Sequence, residues 1–207
     1  MELPTLAAFA HSLDLASERV GGKALAASDE FFAPKENLLK PGRGIFIPDK
    51  YTDRGKWMDG WETRRKRTPG HDWCIIRLGL PGTIQWVDVD TNHFLGNNPS
   101  FVSIEACAAS NSATSGTLTS AKTSWTEILP RSPVKPGSQN LFPVAAAGRW
   151  THVRLNIFPD GGVARLRIYG TVVPSGANIA DGRPLDLAAI QNGGLAVAAS
   201  DMFFSPM

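Results

Sequence analysis

The densest run of reactive side chains is residues 53–73, DRGKWMDGWETRRKRTPGHDW. Asp53, Asp59, Glu62, His71 and Asp72 supply acids and bases there, and Arg64, Arg65, Lys66 and Arg67 supply cations. Forked guanidinium donors suit a planar carboxylate, and a neighbouring carboxylate or imidazole can move protons. With Trp57, Trp61 and Trp73 interleaved, the segment could floor a site for a small, polar, planar substrate. The same residues also have plainer roles. Four consecutive basic residues more often form a solvated face or loop than a site, and with three tryptophans nearby they could also form a nucleic-acid patch. His71 follows a turn and precedes an apolar run, which suits a turn hydrogen bond as well as catalysis. Asp72 could cap that turn, and Glu62 could pair with an arginine.

Other candidates are weaker. His93 in DTNHFLGNN and His152 in WTHVRLN read as structural, and His11 carries little information. Ser28-Asp29 precedes Phe31-Phe32, which suggests a turn whose Asp bonds backbone amides while the aromatics enter the core. Asp29 could instead reach into a site. There is no HxH, HExxH or paired Cys/His spacing for a metal, no glycine-rich phosphate loop and no nucleophile elbow. No generic motif names a reaction.

The elements that must position these residues are mostly strands. Residues 73–78, WCIIRL, lie between Pro69-Gly70 and Gly79 as a buried strand would. Residues 84–90 alternate, with Ile84, Trp86 and Asp88 on one face and Val87 and Val89 on the other. In 101–107, Val102, Ile104 and Ala106 share a face. Residues 150–170 read as a hairpin about Pro159-Asp160-Gly161-Gly162. Its apolar faces are Val153, Leu155 and Ile157, and Ala164, Leu166 and Ile168. Residues 108–124 and 130–149 read as long surface loops, and 184–190 as a short helix with Pro184 in its first turn. Strands joined by turn-rich stretches predict an antiparallel sandwich, not βαβ units.

The composition, 43% hydrophobic and 19% charged over 207 residues, is that of a globular chain with a real core. A net charge of +2 does not by itself imply nucleic acid. No apolar run is long enough to cross a bilayer as a helix. The opening MELPTLAAFAHSLDLASERV lacks a basic leader and an uninterrupted apolar stretch, so a cytoplasmic location is expected. Cys74 and Cys107 sit in strand-like apolar contexts, where reduced, buried cysteine is the simpler expectation.

Residues 21–34, GGKALAASDEFFAP, align without a gap with residues 193–206, GGLAVAASDMFFSP, sharing ten of fourteen positions at an offset of 172. A period this long points to duplication of a whole domain, since solenoid repeats are far shorter. The expected organisation is an N-terminal segment (1–20), a first repeat (21–175), a linker (176–192) and the truncated start of a second repeat (193–207).

The ordered strings ASDEFFAPKENLLKPG, GKWMDGWETRRKRTPGHDWCIIRLGLPG, VDVDTNHFLGN, SIEAC, WTEILP and THVRLNIFPDGGVARLRIYG resemble the signature blocks of the allantoicase family over roughly residues 24–207. The resemblance implies an all-β, antiparallel jelly-roll β-sandwich of the galactose-binding-like type, one complete module of a two-module family. It implies a hydrolase converting allantoate and water to ureidoglycolate and urea in purine (allantoin) degradation, and a homo-oligomer without nucleic-acid or membrane partners. For that substrate, Arg64 or Arg65 suits the carboxylate, Asp29 is a further substrate contact, and His71 with Glu62 or Asp72 suits proton transfer. These roles come from local chemistry. No cofactor is firmly implied; a divalent metal acting on water is compatible with the reaction, but no spacing supplies its site. The rival expectation is a non-catalytic jelly-roll module that binds a small polar ligand.

Overall fold

Alternating apolar residues punctuated by Gly and Pro commit most of this chain to strands. The computed structural model describes residues 12–174, 184–196 and 199–201. In chain order its elements are β1 (Leu13–Asp14), β2 (Lys23–Ala27), β3 (Tyr51–Thr52), β4 (Gly55–Lys56), β5 (Trp61–Glu62), β6 (Asp72–Asp90) and β7 (Phe101–Cys107). A short helix α1 (Ser115–Thr119) follows, then β8 (Thr126–Pro133), β9 (Gln139–Phe158), β10 (Gly162–Val163) and β11 (Arg165–Val172). Every strand pair among them is antiparallel.

The long strands β6 and β9 each serve both layers of a jelly-roll sandwich. The first half of β6, Asp72 to Arg77, lies between β2 and the end of β9, which pairs onward to β7 and β8. Its second half, Gly82 to Asp90, lies between β11 and the start of β9, and β11 pairs onward to β1. Register irregularities between Arg77 and Trp86 mark the bend where β6 passes from one layer to the other. One core joins the layers: Cys74, Ile76, Ile104 and Leu155 from the first pack with Val87, Val89, Leu166 and Ile168 from the second. The all-β, antiparallel jelly-roll expectation therefore holds, as does the face assignment of Val102, Ile104 and Ala106 and of Val153, Leu155 and Ile157, all fully buried. Cys74 and Cys107 are buried and unbridged.

Several local expectations are corrected. The strands of the 150–170 segment do not form a hairpin with each other; β9 and β11 both pair with β6, because burying their apolar faces in opposite layers outweighs local pairing. The stretch 130–149 is largely strand, in β8 and β9, with Pro130 and Pro143 beside register breaks, Pro133 at the end of β8 and Pro136 in the turn between the two strands. The loop at 108–124 contains α1, held by buried Leu118. Residues 184–190 are not a helix: only a 3-10 turn at Ile190–Asn192 forms, closed by left-handed Gly193. Ile84 joins the core with Val87 and Val89 because the register slips between Ile84 and Trp86, leaving Asp88 on the opposite face. Phe31 and Phe32 are exposed and pack edge-to-face on each other, not in the core. Within the expected N-terminal segment, Leu13–Asp14 form an edge strand on β11 and Leu15 is fully buried. Residues 1–11, 175–183, 197–198 and 202–207, with Phe203 and Phe204, lie outside the described residues.

The turn between β9 and β10 tolerates only glycine at two successive positions. Gly161 has φ 136°, a conformation that favours glycine, and a Cβ there would lie 2.7 Å from the Asn97 carbonyl oxygen. At Gly162 a Cβ would meet the Phe94 ring at 2.0 Å. Gly162→Ala must therefore displace a fully buried aromatic and is expected to destabilise the fold by about 1–3 kcal/mol. A urea denaturation midpoint unchanged from wild type would contradict this packing.

Candidate functional site

Trp61 anchors the site. Its side chain is fully buried in the core and its indole N–H donates to the Asp29 carbonyl at 2.8 Å. Strand alternation then turns the neighbouring Glu62 to the opposite side. The Glu62 backbone is held from two sides: its N–H donates to Ala33 O and its C=O accepts from Ala33 N in an isolated bridge, while Gly162 pairs with it from β10. Thr63 extends the clamp, donating its N–H to Gly161 O and accepting the Gly161 N–H on its hydroxyl at 3.1 Å. Lys66 N–H donates to Asp160 Oδ2 at 2.7 Å. Three segments distant in sequence, 28–33, 60–68 and 159–163, are thereby fixed together at one end of the sandwich.

Two adjoining polar cavities open there, beside two larger and more apolar ones, one walled by Phe46, Met58, His93 and Leu95 and the other by Phe31 and Phe32. The first, about 230 Å³, is lined by Phe32, Glu62, Arg65, Asn97, Asn98 and Asp160, among others. Asn97 donates from Nδ2 to Glu62 Oε1 at 2.6 Å, and its backbone carbonyl accepts the Gly162 N–H at 2.7 Å. Burial raises the Glu62 pKa above its ordinary value, only partly offset by the Asn97 hydrogen bond. Glu62 pairs with Asn97, not with the arginine that the sequence suggested. The Arg65 guanidinium makes no hydrogen bond or ion pair among the described residues, and it is exposed.

The second cavity, about 210 Å³, is lined by Ser28, Asp29, Arg64 to Thr68 and Asp72. Four of its charges are paired, Arg64 with Asp29 and Lys66 with Asp72, while Arg65 and Arg67 make no ion pair among the described residues. Arg64 donates from Nε and Nη2 to Asp29 Oδ1 at 3.0 and 2.7 Å, and its backbone N–H donates to Asp29 Oδ2 at 2.6 Å. Partial burial alone would raise the Asp29 pKa, but these donors outweigh it and hold the carboxyl below its ordinary range. Buried Asp72 accepts from Lys66 Nζ at 2.8 Å and from the Ser28 hydroxyl at 2.9 Å. Ser28 in turn accepts the Trp73 N–H.

The structure thus gathers five of the six residues expected from sequence, Asp29, Glu62, Arg64, Arg65 and Asp72, around two neighbouring cavities that share Arg65. The sixth, His71, lines neither. Its half-buried ring packs on Phe158 at 4.5 Å, on the side where Glu105 lies. His152 is fully buried, bonds the Thr151 hydroxyl at 2.8 Å and is pushed by burial to a pKa of about 4, so it is structural. His93, at φ 67°, stacks on Phe46. Sequence reasoning missed Asn97, Asn98 and Asp160; the Gly-Asn-Asn run and the PDGG turn were visible, but only the fold carries them to Glu62. Among the described residues, no three His, Cys, Asp or Glu side chains converge as a metal-ligand set.

Comparison with known proteins agrees with this architecture. The family model described as the allantoicase repeat matches residues 13–173. The chain is 48% identical over 192 residues to "Probable allantoicase 1" of Burkholderia mallei, covering 93% of this chain and 56% of the relative. It is 45% identical over 201 residues to "Probable allantoicase" of Pseudomonas aeruginosa strain UCBPP-PA14, covering 97% and 59%. The crystal structure of allantoicase from Saccharomyces cerevisiae superposes with TM-score 0.76 at 36% identity, covering 93% of this chain and 56% of that one. CBM32-3 from a family 31 glycoside hydrolase of Clostridium perfringens shares the fold alone, with TM-score 0.54 and 14% identity over 81% of this chain and 99% of that one. The chain spans little more than half the length of the curated relatives it matches.

The electrostatics of Glu62 are directly measurable. Its raised pKa means that the folded protein holds this proton more tightly than the unfolded chain. Its contribution to stability is thus fully present below the unfolded value of 4.5 and is lost as pH rises through the higher folded value. Glu62→Gln is accordingly expected to gain stability relative to wild type on going from acid to neutral pH, by urea midpoints. Asn97→Ala removes the hydrogen bond that favours the charged form, so carboxyl NMR titration should place Glu62 higher still. A Glu62 titration at or below 4.5 would contradict the burial described above.

Proposed function

The chain belongs to the allantoicase repeat family, and from that premise we propose that it forms part of an enzyme that hydrolyses allantoate to ureidoglycolate and urea at the Glu62–Arg65 cavity. The observation that carries this reading is a half-buried carboxyl without a basic partner facing the same cavity as an uncommitted guanidinium. Allantoate presents one carboxylate and two ureido groups on a single tetrahedral carbon. Arg65 is free to take the carboxylate by paired N–H donors, whereas Arg64 is committed to Asp29. Asn97, Asn98 and Asp160 supply donors and acceptors for the ureido groups, and Phe32 walls off one side.

In this mechanism the C–N bond to one ureido group breaks with its electron pair passing to that nitrogen. The Glu62 carboxyl, kept protonated more readily by its burial, delivers the proton that lets urea depart. The nitrogen of the remaining ureido group supports the electron-poor carbon. Water then adds to that carbon and returns a proton to the Glu62 carboxylate. Asp29 acts as a positioning residue that fixes the backbone beside Arg65, and Asp72 with Lys66 braces the loop from beneath. His71 is assigned no proton transfer, since it faces Phe158.

The organisation into a first repeat at 21–175, a linker at 176–192 and the start of a second repeat at 193–207 belongs to the same proposal. It is supported by the internal repeat and by the greater length of the relatives. Homo-oligomer formation and a cytoplasmic location complete it. Among the described residues no helix is long and apolar enough to cross a membrane.

The test is turnover of allantoate, with both products assayed, by the 207-residue chain and by a chain extended through a full second repeat. Glu62→Gln is expected to lower kcat by roughly 10²–10⁴-fold with KM little changed. Arg65→Ala should raise KM and lower kcat/KM by about 10–100-fold. Substrate binding without turnover in both wild-type chains would favour a binding module. Full activity of Glu62→Gln with an inactive His71→Asn would move proton transfer to the histidine.

A further inference from the structure

A third polar cavity, about 210 Å³, lies on the outer side of the second layer, lined by Asp88, Asp90, Gln139, Arg165, Arg167 and the loop residue Arg43, among others. Val87 and Val89 of β6 and Leu166 and Ile168 of β11 enter the core, so alternation turns the polar residues between them to this face. The loop at 40–43 closes over them. Arg167 donates to the carbonyls of Lys40 and Gly42, and Arg43 forks onto Asp90 from Nε and Nη2 at 2.8 and 2.9 Å.

The charges here can be counted pair by pair. Arg43 is matched by Asp90, Arg165 by Asp59 at 2.7 Å, and Arg167 by Asp14 at 3.5 Å. Asp88 is the carboxylate left over. Its Oδ2 accepts from Gln139 Nε2 at 2.8 Å, but its Oδ1 is buried and has no hydrogen-bond partner, although the residue is only 1% exposed. Burial, reinforced by the Asp90 charge, pushes its pKa up to about 6 against the Gln139 hydrogen bond, the nearby Arg167 charge and the Asn140 backbone N–H. A buried acceptor without a donor costs free energy, and one beside a cavity of this size is a place where a ligand can supply the missing N–H.

The surroundings restrict what that ligand is. The orphan Asp88 oxygen calls for a donor and the half-exposed Arg43 edge for an acceptor, so neither a simple cation nor a simple anion satisfies both. A neutral planar group with N–H donors and a carbonyl satisfies both sides: its N–H reaches Asp88, and its carbonyl takes the half-exposed edge of Arg43. We propose that this cavity is a second, separate binding site for a small neutral amide group of the urea or carboxamide type, with Asp88 as its acceptor and Arg43 as its donor. It does not depend on the assignment of the Glu62 cavity.

The experiment is a titration of the uniformly ¹⁵N-labelled full chain with N-methylurea and, separately, with acetamide, followed by amide chemical shifts near neutral pH. Saturable shifts at residues 88–90, 139 and 165–169 are expected, with a Kd on the order of millimolar, and the stronger of the two probes identifies the source. Asp88→Ala and Arg43→Ala should each weaken binding about tenfold or more, while Glu62→Gln leaves it unchanged. Binding should also weaken as pH falls through about 6, where Asp88, faced by Asp90, Arg43, Arg165, Arg167, Gln139 and Tyr169, takes up a proton. Retention of the wild-type amide spectrum outside the cavity shows that each variant is folded. No saturable shift, equal affinity in folded Asp88→Ala, shifts confined to the Glu62 cavity, or a preference for guanidinium or acetate would overturn the proposal and leave a water-filled slot only.

Discussion

The burial of Trp61 is the constraint on which the candidate site rests. A two-residue strand has almost no stability of its own, and β5 would not persist on its backbone bonds to Ala33 and Gly162 alone. Burying a tryptophan and satisfying its indole N–H on Asp29 O contributes several kcal/mol, on the order of the 3–5 kcal/mol lost when a large aromatic is truncated. That energy seats the 60–66 segment across the end of the sandwich. Glu62, one residue on, is therefore placed by a core contact, and its carboxyl inherits a half-buried position that a surface loop could not impose.

From that anchor the charges of the basic run separate into two kinds. Arg64 and Lys66 are spent on Asp29 and Asp72, and these pairs shape the loop without being free for chemistry. Arg65 lies between them, lines both cavities and keeps its donors. Adjacent residues of nearly the same type thus acquire different roles because Asp29 and Asp72 reach Arg64 and Lys66, whereas no carboxylate among the described residues pairs with Arg65.

The bend of β6 and β9 explains why polar cavities occur in two separate parts of the molecule. Each strand carries its apolar face from one layer into the other, so the residues between apolar positions emerge on different outer surfaces. At the start of β6 this brings Asp72 beneath the basic loop. At its far end it brings Asp88 and Asp90 beneath Arg43, in the cavity beside β11. The buried ion pair of Asp59 with Arg165 joins the two regions, since Asp59 lies just before Trp61 while Arg165 belongs to β11.

Most of the long strands, several of their apolar faces and the segment whose reactive side chains line the candidate cavities were legible in the sequence, whereas the strands within 130–149 and the inward turn of Ile84 were not. Alternation of Val153, Leu155 and Ile157, or of Val102, Ile104 and Ala106, has only one reading when one face must be dry. The unusual blocks, in order from Ala27 to Gly170, were enough to indicate the family. What pairs with what was left to the tertiary structure. The segments on either side of the PDGG turn look like a hairpin locally, yet β6 is the partner of both, because pairing is decided by the layers a strand can bury and not by its neighbour in sequence. The site divides in the same way. Glu62, Arg65 and Asp29 were visible as reactive types within or near one segment, but Asn97 and Asp160 come from loops 35 and 98 residues beyond Glu62. Whether Arg64 or Arg65 is free, whether Glu62 meets a cation and whether His71 faces the cavity depend on side-chain directions and partners that only packing fixes.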